Sequence, residues 1–402
     1  MASRPVRPSP LSPLPLPSMA AAAVGLAATV NLTAGAVMAW RDPSRASDLL
    51  TLYGWCRAWA LGGSALYPDP NGSTDYPPNA IVMLSPLSIL PWSIYFVACL
   101  LIGLVATLLL PLLVARCTGR RSVIVWSTLL FLCWASARTL LQFSTPTMAL
   151  MFAAVPLVER KRVASGLLLG LALAKPQFAA PVAVWMLLAS HLRALLIAAL
   201  VVLAGWIAFD AHAHVGLWTT LTSYWNVLVS VYSGNEGFIG RTSVRAWTLA
   251  LAGGSRWGDV LWLAAAAVLM IVPCRVAVVE SRTGGSSLAA LSLFCLWSLL
   301  VFYHDSSHLT MMLPAFVFLL AADDRSSTRQ RWSFLALLQV FLMYDVPNRL
   351  GTRHVNDPAL TAFILNFDRL LAMATFVYVA VVWRRLNRVA PVGQKERVAS
   401  PA

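Results

Sequence analysis

The chain has 402 residues, of which 59% are hydrophobic and only 11% charged, and its mean hydropathy is +0.72. An ordinary soluble domain carries about 25% charged and about 45–50% apolar residues, so a chain this apolar could not cover its own surface in water. The formal charge is +14, from 30 Lys and Arg against 16 Asp and Glu. That surplus does not point to nucleic acid, because the basic residues lie in short clusters between apolar runs, where they bear on membrane topology.

Residues 1–18, rich in Pro and Ser, predict a disordered tail. The run Ala20 to Trp40 has the look of a signal sequence but is long enough to span a bilayer, and we read it as an uncleaved first helix. A polar segment, residues 41–91, follows as a large first outer loop. Further apolar runs lie at about 93–115, 122–141, 145–158, 163–175, 177–190, 192–210, 257–274, 287–303, 308–321, 332–346 and 360–383. Backbone groups in lipid must be paired internally, and the runs are continuously apolar rather than alternating, so the expectation is an all-α polytopic protein of about 12 helices. The runs Val163 to Ala174 and Gln177 to Ala189 are short and flank Lys175-Pro176; this hairpin, 163–190, is expected to stop short of a full crossing. A second outer loop is expected at 211–256, the membrane domain at 19–385 and a cytoplasmic tail at 386–402.

With both termini in the cytoplasm, the inner loops hold Arg116, Arg120, Arg121, Arg160-Lys161-Arg162, Arg193, Arg275, Arg282, Arg325, Arg329 and Arg331, as the positive-inside rule requires. Localisation in the plasma membrane with the working face outward follows. No inner loop is long enough for a nucleotide-binding domain, and no Walker A run or GxGxxG is present. The six cysteines show neither CxxC nor metal spacing and read as small packing residues.

Four places could carry chemistry. Asp48, just past the first helix, is a carboxylate at the membrane boundary that can act as general base toward a hydroxyl; a helix cap or a solvated charge is the plainer alternative. In Asp75-Tyr76-Pro77-Pro78 the prolines impose an extended segment that would hold Tyr76 rigidly over the surface, unless Tyr76 is an interfacial anchor. His304, Asp305 and His308 sit between two apolar spans. Two His at i, i+4 could share a metal, but no further ligand is evident, and hydrogen bonding to a phosphate or sugar fits better. Lys175, at the hairpin tip before a proline, wants an anion, of which a lipid phosphate is the obvious one, with snorkelling as the alternative. Arg138 and Gln142 could add donors to the same anion. Trp218, Tyr224, Trp225 and Tyr232 could stack on sugars or belong to the aromatic belt. His212 and His214 have no partner that suggests a metal.

The order of these features resembles glycosyltransferase family 87, of the GT-C superfamily of integral-membrane enzymes. The resemblance is carried by Asp48-Leu49-Leu50-Thr51-Leu52-Tyr53, the run from Trp59 to Tyr67, Tyr76-Pro77-Pro78 and Ser85-Pro86-Leu87-Ser88-Ile89-Leu90-Pro91. It continues in Gln142, in Ala164-Ser165-Gly166-Leu167-Leu168-Leu169-Gly170, in Ala174-Lys175-Pro176 and in His304-Asp305. The family's Gly-Gln-x-Asn run is altered, Phe143 to Pro146 standing where the Asn stretch is usual, which leaves the donor sugar open. The resemblance implies a GT-C-like fold and inverting transfer of a sugar, mannose or arabinofuranose, from a polyprenyl-phosphate donor to a glycolipid or glycan acceptor. It also implies Asp48 as base, with Lys175, Arg138, His304 and His308 around the donor phosphate. Asp75, Tyr76, Gln142 and Asp305 would contact substrate. No cofactor is expected, and a metal site is not among the expectations. A transporter or flippase of lipid-linked sugars, or a non-catalytic assembly factor, would account for the helices and Lys175 equally well, although no internal repeat relates the two halves.

Overall fold

A computed structural model describes residues 18–41, 47–62, 67, 76–134, 140–234, 244–252, 256–283, 287–302, 310–322, 328–344 and 358–389. Among the described residues every regular element is a helix and none is a strand. In chain order they are α1 (Ser18–Arg41), α2 (Ser47–Gly62), α3 (Pro78–Ser88), α4 (Trp92–Arg116), α5 (Arg121–Leu132), α6 (Ser144–Ala154), α7 (Arg162–Ala172), α8 (Pro176–Leu188), α9 (Leu192–Ala213) and α10 (Leu217–Gly234). There follow α11 (Val244–Leu251), α12 (Trp257–Thr283), α13 (Leu288–Val301), α14 (Leu313–Ala321), α15 (Thr328–Tyr344) and α16 (Pro358–Val389).

Among the described residues four stretches are long and apolar enough to cross a membrane, namely α4, α9, α12 and Arg369–Asn387 within α16. The expected run Ala20 to Trp40 holds α1, of 24 residues, and the remaining expected runs hold shorter helices. The centre explains how short helices are accommodated. α13 is apolar on every side and all its residues but Trp297 are buried, as is nearly all of α14. A helix apolar all round belongs inside a bundle or a bilayer, and here α13 packs against α8, α12, α14 and α16. Trp262 and Trp297 donate their indole N–H groups across the α12–α13 contact, to the Val301 and Ala266 carbonyls at 3.0 and 2.9 Å.

The hairpin that carries Lys175 is held by backbone proximity. A Cβ on Gly166 would lie 2.5 Å from the Ala194 carbonyl oxygen, and one on Gly170 would lie 2.6 Å from the Val201 Cβ. Lipid offers no hydrophobic drive between apolar helices, so close van der Waals contact through small residues four apart does that work. Among the described residues the most extensive pairing of helices, α7 on α9, is built on these two positions.

Within the segment expected as the first outer loop, the described residues form α2 and α3. Leu49, Leu52, Cys56 and Trp59 recur at helical spacing and bury one face of α2. Trp59 stacks on Phe209 of α9 and donates to its carbonyl at 3.3 Å. His212 lies 2.9 Å from the Trp59 carbonyl, a neighbour that requires a proton on that ring nitrogen, so His212 ties α9 to α2. Arg57 of α2 donates to the Ser88, Ile89 and Leu90 carbonyls at 3.1–3.3 Å. That guanidinium satisfies the exposed C-terminal carbonyls of α3 and complements its dipole. α3 in turn lies close on α9, where a Cβ on Gly205 would meet Asn79 at 2.6 Å.

Candidate active site

The N-terminal ends of α2, α3, α6 and α8 meet at one place, with Asp48, Tyr76, Ser144 and Lys175 at or beside them. The sequence dictates three of these starts. Pro78 and Pro176 occupy the first helical turn of α3 and α8, where a missing N–H costs nothing and a fixed φ favours entry; Pro146 does the same in α6. No side chain caps α3, α6 or α8 among the described residues. Helix N-termini present N–H groups without intrahelical acceptors and carry a partial positive charge, so their convergence favours an anion.

A continuous set of contacts runs across this place. Lys175 Nζ donates to Ser144 Oγ at 3.1 Å. Ser144 Oγ donates to Gln142 Oε1 at 3.5 Å, and Gln142 Nε2 donates to Asp48 Oδ2 at 3.1 Å. The Lys175 ammonium also lies 5.5 Å from the ring centres of Tyr76 and Phe178, within cation–π range. Tyr76 is steadied by Tyr67, whose hydroxyl donates to the Tyr76 carbonyl at 2.8 Å. Burial divides the set. Lys175 is 8% exposed, Gln142 9% and Ser144 1%, whereas Asp48 is exposed.

Four of the residues singled out from sequence, Asp48, Tyr76, Gln142 and Lys175, are therefore brought together from positions up to 127 residues apart. Arg138, Asp75, His304, Asp305 and His308 lie outside the described residues. Among the aromatic candidates, Tyr224 is buried against Tyr67 and Trp206, while Trp218 and Trp225 stand exposed on α10. Ser144 and Phe178 were not anticipated. Ser144 falls within the altered Phe143–Pro146 run and two residues after Gln142, which was the available signal. Among the described residues no three or more His, Cys, Asp or Glu side chains gather as metal ligands would.

A family profile described as glycosyltransferase family 87 matches residues 74–303, more than half of the chain. The chain belongs to glycosyltransferase family 87. No curated protein and no solved structure matches it. The glycosyltransferase profile takes in Tyr76, Gln142, Ser144 and Lys175. Asp48 lies upstream of the match, and its connection to the family's region is the hydrogen bond from Gln142.

Proposed function

We propose that this glycosyltransferase takes a sugar, mannose first among the candidates, from a polyprenyl phosphate and transfers it with inversion to a glycolipid or polysaccharide acceptor at the outer face of the plasma membrane. The observation that carries this reading is the set of contacts joining an exposed carboxylate, Asp48, to a buried ammonium, Lys175. Glycosyl transfer from a phosphate needs both. Asp48 Oδ1, which has no partner among the described residues, removes the proton of the acceptor hydroxyl as its oxygen attacks the anomeric carbon. The bond from that carbon to the phosphate oxygen breaks on the opposite face, and the phosphate leaves with the electron pair. Lys175 and the N-terminal ends of α6 and α8 stabilise the charge that develops on it. On this reading the transfer needs no metal, since the ammonium and helix ends supply the positive charge. A donor carried on lipid also suits a chain whose Lys175 is buried among helices.

The test is transfer in proteoliposomes from radiolabelled polyprenyl-phosphate mannose and polyprenyl-phosphate arabinofuranose to a membrane lipid and glycan extract. The expected result is covalent transfer by the unsubstituted protein, with Asp48→Asn slowed at least about 100-fold, as loss of a general base entails, while the variant keeps its melting temperature. Movement of intact donor across the bilayer without covalent transfer, or full activity in Asp48→Asn, would overturn the reading.

A further inference from the structure

α7 and α9 run side by side in the same direction. Gly166 lies against Ala194 and Ile197, Gly170 lies against Ala198 and Val201, and Glu159 sits 3.6 Å from His191. Residues 159–163 therefore stand level with the first turn of α9. Because α9 is long and apolar enough to cross a membrane, its first turn marks a boundary between lipid and water. At that level, around the N-terminal end of α7, lies an open cavity of about 610 Å³ whose lining includes Glu159, Arg160, Lys161, Arg162, Val163 and Leu167. The volume falls within the range of small-molecule sites.

Two kinds of surface meet in this cavity. Three cations outweigh one carboxylate, and that carboxylate has the His191 ring beside it. No side chain caps α7 among the described residues, so its first N–H groups and the positive end of its dipole also favour an anion. Past the charges, Val163, Leu167 and Leu171 recur every fourth residue and are all exposed, forming an apolar stripe that runs from the cavity along α7 beside the membrane-length α9. A water-soluble anion would use the first surface alone. A ligand that uses both has an anionic head and an apolar tail.

We propose that this cavity binds one anionic glycerophospholipid, its phosphate among Arg160, Lys161 and Arg162 and an acyl chain along the Val163–Leu167–Leu171 stripe. The site lies at the opposite end of α7 from Lys175, about 16 Å away along the helix axis. It is separate from the transfer chemistry and holds whichever way the chain crosses the membrane. Diffuse attraction of basic loops to an anionic surface depends on the number of charges only. A built site depends on these three residues and on a lipid with both parts.

The test strips the full-length protein of lipid in detergent, titrates it with phosphatidylglycerol and counts bound lipid by native mass spectrometry. One phosphatidylglycerol is expected to bind ahead of any other, with phosphatidylcholine at least about 10-fold weaker. Replacing Arg160, Lys161 and Arg162 together by Gln is expected to weaken that first binding about 100-fold, at roughly 5-fold for each basic residue. The same loss of charge at Arg275, Arg282 and Arg384, exposed residues of α12 and α16, is expected to leave it unchanged. Glycerol 3-phosphate, which has the head without the tail, is expected not to compete at the lipid's own concentration. Equal weakening in the two triple variants, equal binding of the two phospholipids, or competition by glycerol 3-phosphate at equal concentration would each overturn the proposal. Should the first triple variant not fold, Arg162→Gln alone decides: a loss of about 5-fold upholds the site, and no loss overturns it.

Discussion

Lys175 is held 8% exposed, against two aromatic rings and a serine hydroxyl, where a full charge is costly to keep. The position follows from its place before Pro176, at the start of α8 and inside the bundle. If the ammonium serves a leaving phosphate, Lys175→Met lowers kcat by roughly 100- to 1000-fold, the scale for removing one charge-stabilising donor. Lys175→Arg restores little, because a planar fork does not occupy the volume of a point charge; both are checked by initial rates with the labelled donor. A second expectation concerns His191, between α8 and α9, 3.6 Å from Glu159 and with its side chain 15% exposed. Burial pushes its pKa below the usual 6.5; Glu159 opposes that shift and Arg162 adds to it. The unfolded chain therefore binds the proton more readily than the folded one, so stability from this site is present above about pH 6.5 and declines as the pH falls below it. The melting temperature of the wild-type protein should drop more between pH 7.5 and 5.5 than that of His191→Gln. An equal drop in both would refute the assignment. At this scale Asp48, Tyr76, Gln142 and Lys175, which the fold brings together, were singled out from sequence, because an ionisable or polar group stands out against apolar neighbours. Ser144 was not, since a hydroxyl acquires meaning only through partners 2 and 31 residues away that the fold delivers.

Among the elements, the α7–α9 pair sets where Lys175 stands. Gly166 faces the backbone oxygen of Ala194, which cannot step aside as a side chain could. Gly166→Leu should therefore destabilise the protein by about 1–3 kcal/mol or more through overpacking and lower transfer activity by moving the hairpin tip. Intrinsic tryptophan fluorescence on heating measures the first effect, and initial rates measure the second. The hairpin expected at 163–190 was read from two short apolar runs around Lys175-Pro176, and α7 and α8 occupy Arg162–Ala172 and Pro176–Leu188. The segment 41–91 was read as a loop because it is polar overall. α2 is nonetheless a helix with one buried stripe, and what secures it is tertiary: Trp59 on Phe209 and Arg57 on the last carbonyls of α3. Average polarity conceals a narrow stripe of this kind. The segment 211–256, expected as a second outer loop, likewise contains α10 and α11.

For the whole molecule, hydropathy marks apolar runs but not what surrounds them. α13 faces protein on all sides while α4 and α9 carry many exposed apolar residues, yet all three read alike in sequence. This is why the apolar runs were legible as helices while the number of complete crossings was not. We propose the cytoplasmic placement of Arg160-Lys161-Arg162, at the end of α7 away from Lys175. A single cysteine introduced as Arg160→Cys should react with a membrane-impermeant maleimide only from the cytoplasmic side, and one introduced as Trp218→Cys only from the outside. Labelling of both from one side would discard the orientation. The contrast between an open Asp48 and an enclosed Lys175 has a pharmacological corollary. On the proposed function, a small polar compound would meet the exposed carboxylate, whereas a mimic of the departing lipid would have to reach a buried ammonium. The proposed base and donor roles would then call for two inhibitor chemistries, one for each end of the set of contacts.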